Sequence, residues 1–316
     1  MRVYRIGIDL GGTNIAAGLV NGQGQILARS SVKTNVPRPL REMMEDMVLL
    51  VQRLLEEKGL SKADVASVGV GVPCTANLDN GHMEDANNLG FDDEPFVDVL
   101  AEMLGLPVYF GNDANAAAWG EYKSGGYGAD SFVLMTIGTG IGGGIILGGK
   151  LWSGVNHAAG EFGHMTLSGS DAPCTCGRRG CFEAAASATA LIAQAREAMT
   201  GDPDSLLWRL CGADAEKVEA RTVFDAAAAG DSLSIQVLDR YTTLLAEGVA
   251  NIINIFQPAY LCVGGGVSQA GEALMRPLRE KVAQRIYSKN SKVNTVLVSA
   301  KLHNDAGILG AALLGT

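Results

Sequence analysis

The chain has 316 residues, is 47% hydrophobic and 19% charged, and carries a formal net charge of −9 at pH 7. This length exceeds what one hydrophobic core usually organises, so two domains are expected. The acidic balance argues against a nucleic-acid surface, which needs clustered Lys and Arg, and the lack of any run of about 18 apolar residues argues against a membrane span.

The N-terminus enters an apolar strand pattern at once and lacks the architecture of a signal peptide. We therefore expect a cytoplasmic, reducing location, in which clustered cysteines favour metal binding over disulfides. The first predicted strand, residues 3–8, leads through Asp9-Leu-Gly11-Gly12-Thr13 into a second strand at 15–20. A similar pattern returns at 132–147, around Gly138-Thr139-Gly140-Ile-Gly142-Gly143. The repeat indicates an internal duplication, with one such hairpin opening each of two similar domains.

Between the two hairpins, helical spacing of apolar residues predicts an amphipathic helix with its methionines in the core. Its apolar face consists of Met43, Met44, Met47, Val48, Val51, Leu54 and Leu55. Further strands are predicted at 67–72, 108–110, 260–263 and 295–298, and helices at 114–122, 188–199, 233–256 and 305–314. Ser268 is predicted to cap a helix that follows the glycines at 264–266.

Three cysteines and a histidine lie within eighteen residues, at His164, Cys174, Cys176 and Cys181. Three thiolates and one imidazole complete a four-coordinate zinc shell with no open position, which is the composition of structural sites. Half of the chain's six cysteines fall inside eight residues, which scattered buried cysteines would not produce. The spacing therefore predicts a structural zinc ion.

The glycine loop from Gly138 to Gly143 matches the spacing of the dinucleotide-binding fingerprint, but a strand pattern follows it where that fingerprint needs a helix. We instead predict hairpin turns whose bare backbone N–H groups face phosphate, with the hydroxyls of Thr13 and Thr139 as further donors. Two ordinary glycine turns are the alternative. The recurrence of the loop, together with Asp9 and a glycine triplet at 264–266, argues against it.

Taken together, these motifs resemble the ROK family (repressors, open reading frames and kinases), and among its members the bacterial glucokinases most. The resemblance runs nearly end to end and is carried by Asp9-x-Gly11-Gly12-Thr13, Gly111-Asn112-Asp113-Ala-Asn115, Gly138-Thr-Gly-x-Gly142-Gly143, Gly160-Glu161-Phe-Gly163-His164, Cys174-x-Cys176-Gly-x-x-Gly-Cys181-x-Glu183 and Gly264-Gly-Gly-Val267. It implies an α/β fold of the actin-like (ribonuclease H-like) ATPase type, with two domains flanking a cleft. We expect a smaller domain of residues 1–115 plus 302–316, and a larger one of residues 116–301 that carries the zinc loop.

The resemblance also implies ATP-dependent phosphorylation of a hexose at O6, most simply glucose. Asp113 is the candidate base for the hydroxyl proton, although its position before Ala114 also suits a helix N-cap. Asp9 is the candidate partner of Mg²⁺, directly or through water. The residues assigned to ATP are Asp9, Gly11, Gly12, Thr13, Asn14, Gly138, Thr139, Gly140, Gly142, Gly264, Gly265 and Gly266.

For the sugar hydroxyls, the resemblance implies Asn88, Asn112, Asp113, Glu161, His164 and Glu183. The sequence does not decide between Asn87 and Asn88, although Asn88 keeps the family spacing. If one ring nitrogen of His164 binds zinc, the other is oriented to donate to a sugar hydroxyl. Because the ATP loops lie elsewhere in the sequence, we expect loss of zinc to disturb hexose binding before nucleotide binding.

Other functions are compatible with parts of this pattern. Mannose, allose, fructose or N-acetylmannosamine could replace glucose as the substrate. A sugar-responsive repressor is expected to carry a DNA-binding domain before this core, for which the loop beginning at Asp9 leaves no room. A sugar-responsive regulator that lacks such a domain is a less favoured alternative. A chaperone-type ATPase would not need the metal cluster.

Cys74 departs from the glycine more common after Pro73, and a buried cysteine is favoured there over a sugar contact. Family members commonly form homodimers.

Overall fold

The computed structural model describes residues 3–86 and 89–316, and it confirms the predicted α/β class. The strands are β1 (Tyr4–Leu10), β2 (Asn14–Val20), β3 (Ile26–Lys33), β4 (Val65–Val72), β5 (Thr75–Asn77), β6 (His82–Glu84), β7 (Glu94–Pro95), β8 (Val108–Asn112), β9 (Phe132–Ile137), β10 (Ile141–Leu147), β11 (Lys150–Leu151), β12 (Tyr260–Gly264) and β13 (Val296–Ser299). The helices are α1 (Leu40–Lys58), α2 (Val97–Leu104), α3 (Asp113–Ser124), α4 (Phe182–Ala186), α5 (Ala188–Met199), α6 (Leu206–Leu210), α7 (Ala220–Ala228), α8 (Ser232–Phe256), α9 (Glu272–Arg285) and α10 (Asp305–Leu313).

The chain divides into two compact units. Unit 1 comprises Met1–Leu134, Gly144–Gly160 and Lys301–Thr316, and unit 2 comprises Met135–Gly143 and Glu161–Ala300. The sequence predicted the break after residue 115, at the start of α3. In the structure α3 stays in unit 1, because it packs closely against α10. The division instead passes through β9 and β10.

Unit 1 is built on a five-stranded sheet in the order β3-β2-β1-β4-β8. The strands β1, β2 and β3 are antiparallel, as the predicted hairpin requires, whereas β1, β4 and β8 run parallel. Helix α1 supplies much of the apolar cover for this sheet. Its methionines Met43, Met44 and Met47 are at most 1% exposed, which confirms their predicted place in the core.

The second five-stranded sheet has the order β11-β10-β9-β12-β13, with β12 and β13 parallel. In unit 2 the long helix α8 packs against α4, α5, α7 and α9. Its Tyr241 is fully buried. None of the helices in the described part of the chain combines the length and the apolarity that crossing a bilayer demands.

Two helix starts differ from the prediction. Helix α3 begins at Asp113, and the side chain of Asn112 caps it by accepting a hydrogen bond from the Asn115 amide at 3.1 Å. Ser268 does not cap a helix: it lies in a 3₁₀ turn at Gly266–Ala270 and donates its hydroxyl hydrogen to the Gly265 carbonyl. Helix α9 starts afterwards, at Glu272.

Helix α10 crosses α3 with almost no space between the two backbones. A Cβ atom on Gly310 would overlap the carbonyl oxygen of Ala116, and one on Gly120 would overlap that of Ala306. The buried carboxylate of Glu121 in α3 accepts hydrogen bonds from the amides of Lys301 and Leu302, at 2.8 and 3.0 Å. The chain is thereby held as it enters α10.

Gly310→Ala should destabilise unit 1 by about 3 kcal/mol, because the added methyl group forces the two helices apart. Urea denaturation followed by circular dichroism measures this loss. Gly22→Ala is the matched control, since a Cβ there meets no atom closer than 3.7 Å. It should change the free energy of unfolding by no more than about 0.5 kcal/mol. Equal stability of the two variants would contradict the close packing of α10.

Candidate functional site

Two aspartates, Asp9 and Asp113, lie at the same edge of the unit 1 sheet, because the parallel strands β1, β4 and β8 all end there. Asp9 on β1 pairs with Gly71 on β4, which pairs with Gly111 on β8. Adjacent strands lie about 4.8 Å apart, so Asp9 is separated by roughly 10 Å from the end of β8, which Asp113 follows. Gly71 lies close to the helix that Asp113 begins, since a Cβ there would be only 3.3 Å from the Cβ of Ala116.

Asp9 is largely enclosed at the end of β1. Burial raises the pKa of its carboxyl above the usual range, because the charged form is desolvated. A Cβ on Gly307 in the first turn of α10 would lie 2.6 Å from its Oδ2 atom, so only glycine fits there. An enclosed carboxylate with no positive side chain as the cause of its shift has the donor chemistry that suits a hard divalent cation.

Asn112 and Asp113 make different hydrogen bonds at the start of α3. Asn112 caps the helix with its side-chain oxygen and donates from its side-chain nitrogen to the carbonyl of Cys74, at 3.2 Å. Asp113 occupies the first helical position, and its Oδ1 accepts from the amide of Ala114 at 2.8 Å. The alternative that Asp113 is itself the N-cap is therefore wrong. Asp113 is left in a helix N-terminal turn, which stabilises negative charge.

Cys74 is buried beside this helix start, with 6% of its surface exposed. The pKa of its thiol is raised to about 12, mainly by burial and further by the negative charges of Asp113, Glu84 and Asp85. The thiol therefore stays protonated at neutral pH, as the buried-cysteine interpretation requires.

The first glycine loop is held at its base and open on its outer side. Gly11 donates to the carbonyl of Asn14 at 2.9 Å, and the buried Thr34 bonds the carbonyls of Gly11 and Thr13. A Cβ on Gly12 would meet no atom within 4 Å. Packing within the described protein therefore does not require glycine at position 12. A glycine there would allow a ligand to approach the backbone closely.

In unit 2 the four predicted metal ligands come together. The ligand atoms of His164, Cys174, Cys176 and Cys181 all lie within 4.8 Å of one another. The Sγ atoms of Cys176 and Cys181 are 3.7 Å apart, and Cys174 Sγ is also 3.7 Å from His164 Nδ1. Tetrahedral zinc bonded to sulfur at about 2.3 Å and to nitrogen at about 2.0 Å would separate these pairs by about 3.8 and 3.5 Å. The cluster fits a zinc ion.

Tight turns make this convergence feasible. The Cys174 carbonyl accepts from the amide of Gly177, and the Cys174 amide donates to the carbonyl of Arg178. Gly177 has a φ of 83°, a left-handed value that glycine adopts without strain. The Arg178 side chain then reaches back to the His164 carbonyl at 3.2 Å. The sequence analysis did not identify Arg178, since only the folded loop brings it to His164.

Glu161 lies on the other side of the His164 ring from the cysteines. Its Oε2 is 4.0 Å from Nε2 of His164, whereas Nδ1 faces Cys174. With Nδ1 on a metal ion, Nε2 carries the proton and faces outward with Glu161. Partial burial raises the pKa of Glu161, His164 opposes the rise and Glu183 adds to it.

Glu183 follows the predicted metal ligand Cys181 but points toward the second glycine loop. Its Oε2 accepts from the amide of Ile141 at 2.9 Å, and its Oε1 is 3.7 Å from Cys174 Sγ. The sequence analysis assigned Glu183 to a sugar and did not foresee the contact with Ile141, because no sequence pattern relates positions 42 residues apart.

The two predicted glycine loops of unit 2 are neighbours. Gly265, with a φ of 82°, lies so close to the end of β9 that a Cβ would overlap the backbone of Ile137. Gly138 and Gly266 instead have no atom within 4 Å of an added Cβ. Each loop thus has one open backbone face. Asn88 lies outside the described residues, as does Asn87, so the structure leaves the choice between them where the sequence left it.

Known proteins resemble this chain over almost its whole length. A glucokinase from Thermotoga maritima is 40% identical over 310 residues, which cover 97% of this chain and 95% of the relative. An N-acetylmannosamine kinase from Shigella boydii is 34% identical over 312 residues, covering 98% of this chain and 97% of the relative.

Among solved structures, a ROK family glucokinase from Streptomyces griseus in complex with glucose and AMPPNP has a TM-score of 0.85 and 34% identity, with 98% of each chain covered. This likeness confirms the predicted actin-like ATPase fold. The family model described as ROK family matches residues 5–316. The chain belongs to the ROK family.

Proposed function

We propose that this protein transfers the γ-phosphoryl group of ATP to O6 of a hexose, and that the preferred hexose is glucose. The observation that carries the proposal is the pair Asp9 and Asp113 at one edge of parallel strands, in a chain whose relatives include glucokinases. A carboxylate for the hydroxyl proton and a second for the metal of a nucleotide are what phosphoryl transfer needs from a protein.

Asp113 acts as the base. It accepts the proton of the hexose 6-hydroxyl, so that the oxygen can form its bond to phosphorus as the bond to ADP breaks. Asn112 fixes the start of α3 through its cap and through the Cys74 carbonyl, and thereby fixes the backbone of Asp113. Asn112 keeps a second side-chain N–H for a sugar hydroxyl.

Asp9 holds Mg²⁺, which neutralises phosphate charge when the nucleotide is bound. The open backbone faces of the three glycine loops receive the phosphates and the nucleotide, with Thr13, Asn14 and Thr139 adding polar groups. The remaining members of this set are Gly11, Gly12, Gly138, Gly140, Gly142, Gly264, Gly265 and Gly266.

The zinc site has a structural role in this proposal. His164, Cys174, Cys176 and Cys181 hold the ion, which stabilises the loop and supplies no chemistry to the transfer. His164 then donates from Nε2 to a sugar hydroxyl, while Glu161 and Glu183 accept from others. A cytoplasmic location belongs to the proposal, because a reducing compartment keeps clustered cysteines available to a metal ion. A homodimer also belongs to the proposal, on the family resemblance alone.

N-acetylmannosamine is the second candidate substrate, because a kinase for it is 34% identical over 98% of this chain. A coupled assay of ADP release with glucose, mannose, N-acetylmannosamine and N-acetylglucosamine should give the highest kcat/KM for glucose. The highest value for N-acetylmannosamine would favour the second candidate. Failure of all four sugars to stimulate ADP release would contradict both candidate substrates.

Asp113→Asn should lower kcat by at least about a hundredfold, because an amide cannot accept the proton. Glucose affinity, measured by calorimetry, should stay within about tenfold, since the amide keeps much of the hydrogen bonding. A variant that retains more than about a tenth of the wild-type kcat would remove Asp113 from the base role.

The purified protein should contain about one zinc ion per chain, measured by elemental analysis after preparation without chelator. Cys176→Ser should lose most of this metal. Cys211→Ser is the matched control, because Cys211 is a buried cysteine outside the cluster, and it should keep the wild-type content. A metal-free wild-type protein with titratable cluster thiols would contradict the zinc site.

A further inference from the structure

The chain segment that follows the metal ligand Cys181 also contacts the glycine loop of unit 2. Cys181 is completely buried and directly precedes α4, and the chain then passes into the first turn of α5. We call residues 181–189 the connecting segment. One end of this segment supplies a metal ligand, and the rest lies against the loop at residues 138–141.

Three hydrogen bonds join the connecting segment to the loop. The carboxylate of Glu183 accepts from the amide of Ile141 at 2.9 Å. The amide of Ala188 donates to the carbonyl of Gly138 at 2.9 Å, and the hydroxyl of Thr189 donates to that of Thr139 at 2.8 Å. The connecting segment thus forms hydrogen bonds with two carbonyls and one amide of the loop. Of the three, only the bond from Glu183 places a charge on the loop.

Two glycines allow Glu183 and the glycine loop to approach each other closely. A Cβ on Gly140 would overlap its Oε2 atom, and a Cβ on Gly163 would overlap the carbonyl oxygen of Ile141. Ile141 itself is 3% exposed. Its amide therefore loses its protein partner if the carboxylate is removed. Because a buried N–H group without a partner is costly, the loop should then open to water more often.

We propose that Glu183 is a positioning residue for the glycine loop at 138–141, which it fixes through the Ile141 amide. The inference also predicts that Glu183 affects nucleotide affinity. That part rests on the proposed function, in which this loop receives phosphates. It is separate from the sugar contact that the family resemblance implies, because Oε2 serves the loop whether or not Oε1 meets a sugar. The sequence analysis expected the predicted nucleotide loops to be independent of the metal loop, whereas the connecting segment gives the loop at 138–141 a physical link to it.

Two substitutions separate positioning from sugar binding. Glu183→Ala removes the acceptor, whereas Glu183→Gln keeps a side-chain oxygen for the Ile141 amide. Glu197→Ala is the control, because Glu197 is an exposed glutamate on α5 in the same unit. The zinc content of every variant is measured first, so that loss of metal is recognised.

Amide hydrogen exchange of the zinc-loaded, ligand-free protein is the first measurement, on peptides that cover residues 138–143. Exchange in Glu183→Ala should be about tenfold faster at these residues, because the Ile141 amide loses its partner. Glu183→Gln should stay within about twofold of the wild type, and Glu197→Ala should be unchanged. Unchanged exchange in Glu183→Ala, or an equal rise in the Gln variant, would overturn the inference.

Calorimetry with AMPPNP and Mg²⁺, without sugar, is the second measurement. The Kd should rise about tenfold in Glu183→Ala and stay near the wild-type value in Glu183→Gln. If Glu183 only binds sugar, both variants weaken glucose binding and leave exchange and nucleotide affinity unchanged, which would overturn the inference. If the wild-type protein does not bind AMPPNP, the proposed function fails, and the exchange measurement still decides the role of Glu183.

Discussion

The packing of α10 backbone against backbone is the constraint on which the rest of unit 1 depends. A Cβ on Gly7 in β1 would overlap a carbonyl oxygen of this helix, and Gly310 faces α3 in the same way. Gly307 of α10 also lies against the carboxylate of Asp9. One helix therefore fixes both the strand that carries Asp9 and the helix that begins with Asp113. Glycines are required because side chains would separate surfaces that must touch.

The buried carboxylate of Glu121 holds the chain just before α10 against α3. Glu121 accepts from the amides of Lys301 and Leu302, which are 180 and 181 positions away in sequence, and from the hydroxyl of Tyr127. A carboxylate that loses its water is stable only when such donors replace it. The bonds that satisfy Glu121 therefore also fix where the chain returns to unit 1.

Unit 2 depends on a comparable sharing of groups. The turn at Cys174–Gly177 and the buried Cys181 bring together three of the predicted metal ligands, and residues just after Cys181 form hydrogen bonds with the glycine loop at 138–141. The resemblance treats Glu183 as a sugar ligand, but the folded chain gives one of its oxygens to a backbone amide. The segment that carries a predicted metal ligand thus also contacts a loop that is distant in sequence.

The sequence by itself determined the parts of this protein that depend on local spacing. The four predicted metal ligands lie within one short segment, and the methionines of α1 repeat at helical spacing, so both groups could be identified from the sequence. The hairpins at Asp9 and Gly138 could be predicted too, because glycine loops between apolar strands favour tight turns.

Only the tertiary structure decided which distant groups meet. The cap of α3 belongs to Asn112 because the Cys74 carbonyl holds its amide, and α3 remains in unit 1 because α10 packs on it. The contact between Glu183 and Ile141 likewise exists only once the loops are folded. Hydrogen bonds and close packing act across space, and they leave no periodic trace in the sequence that produces them.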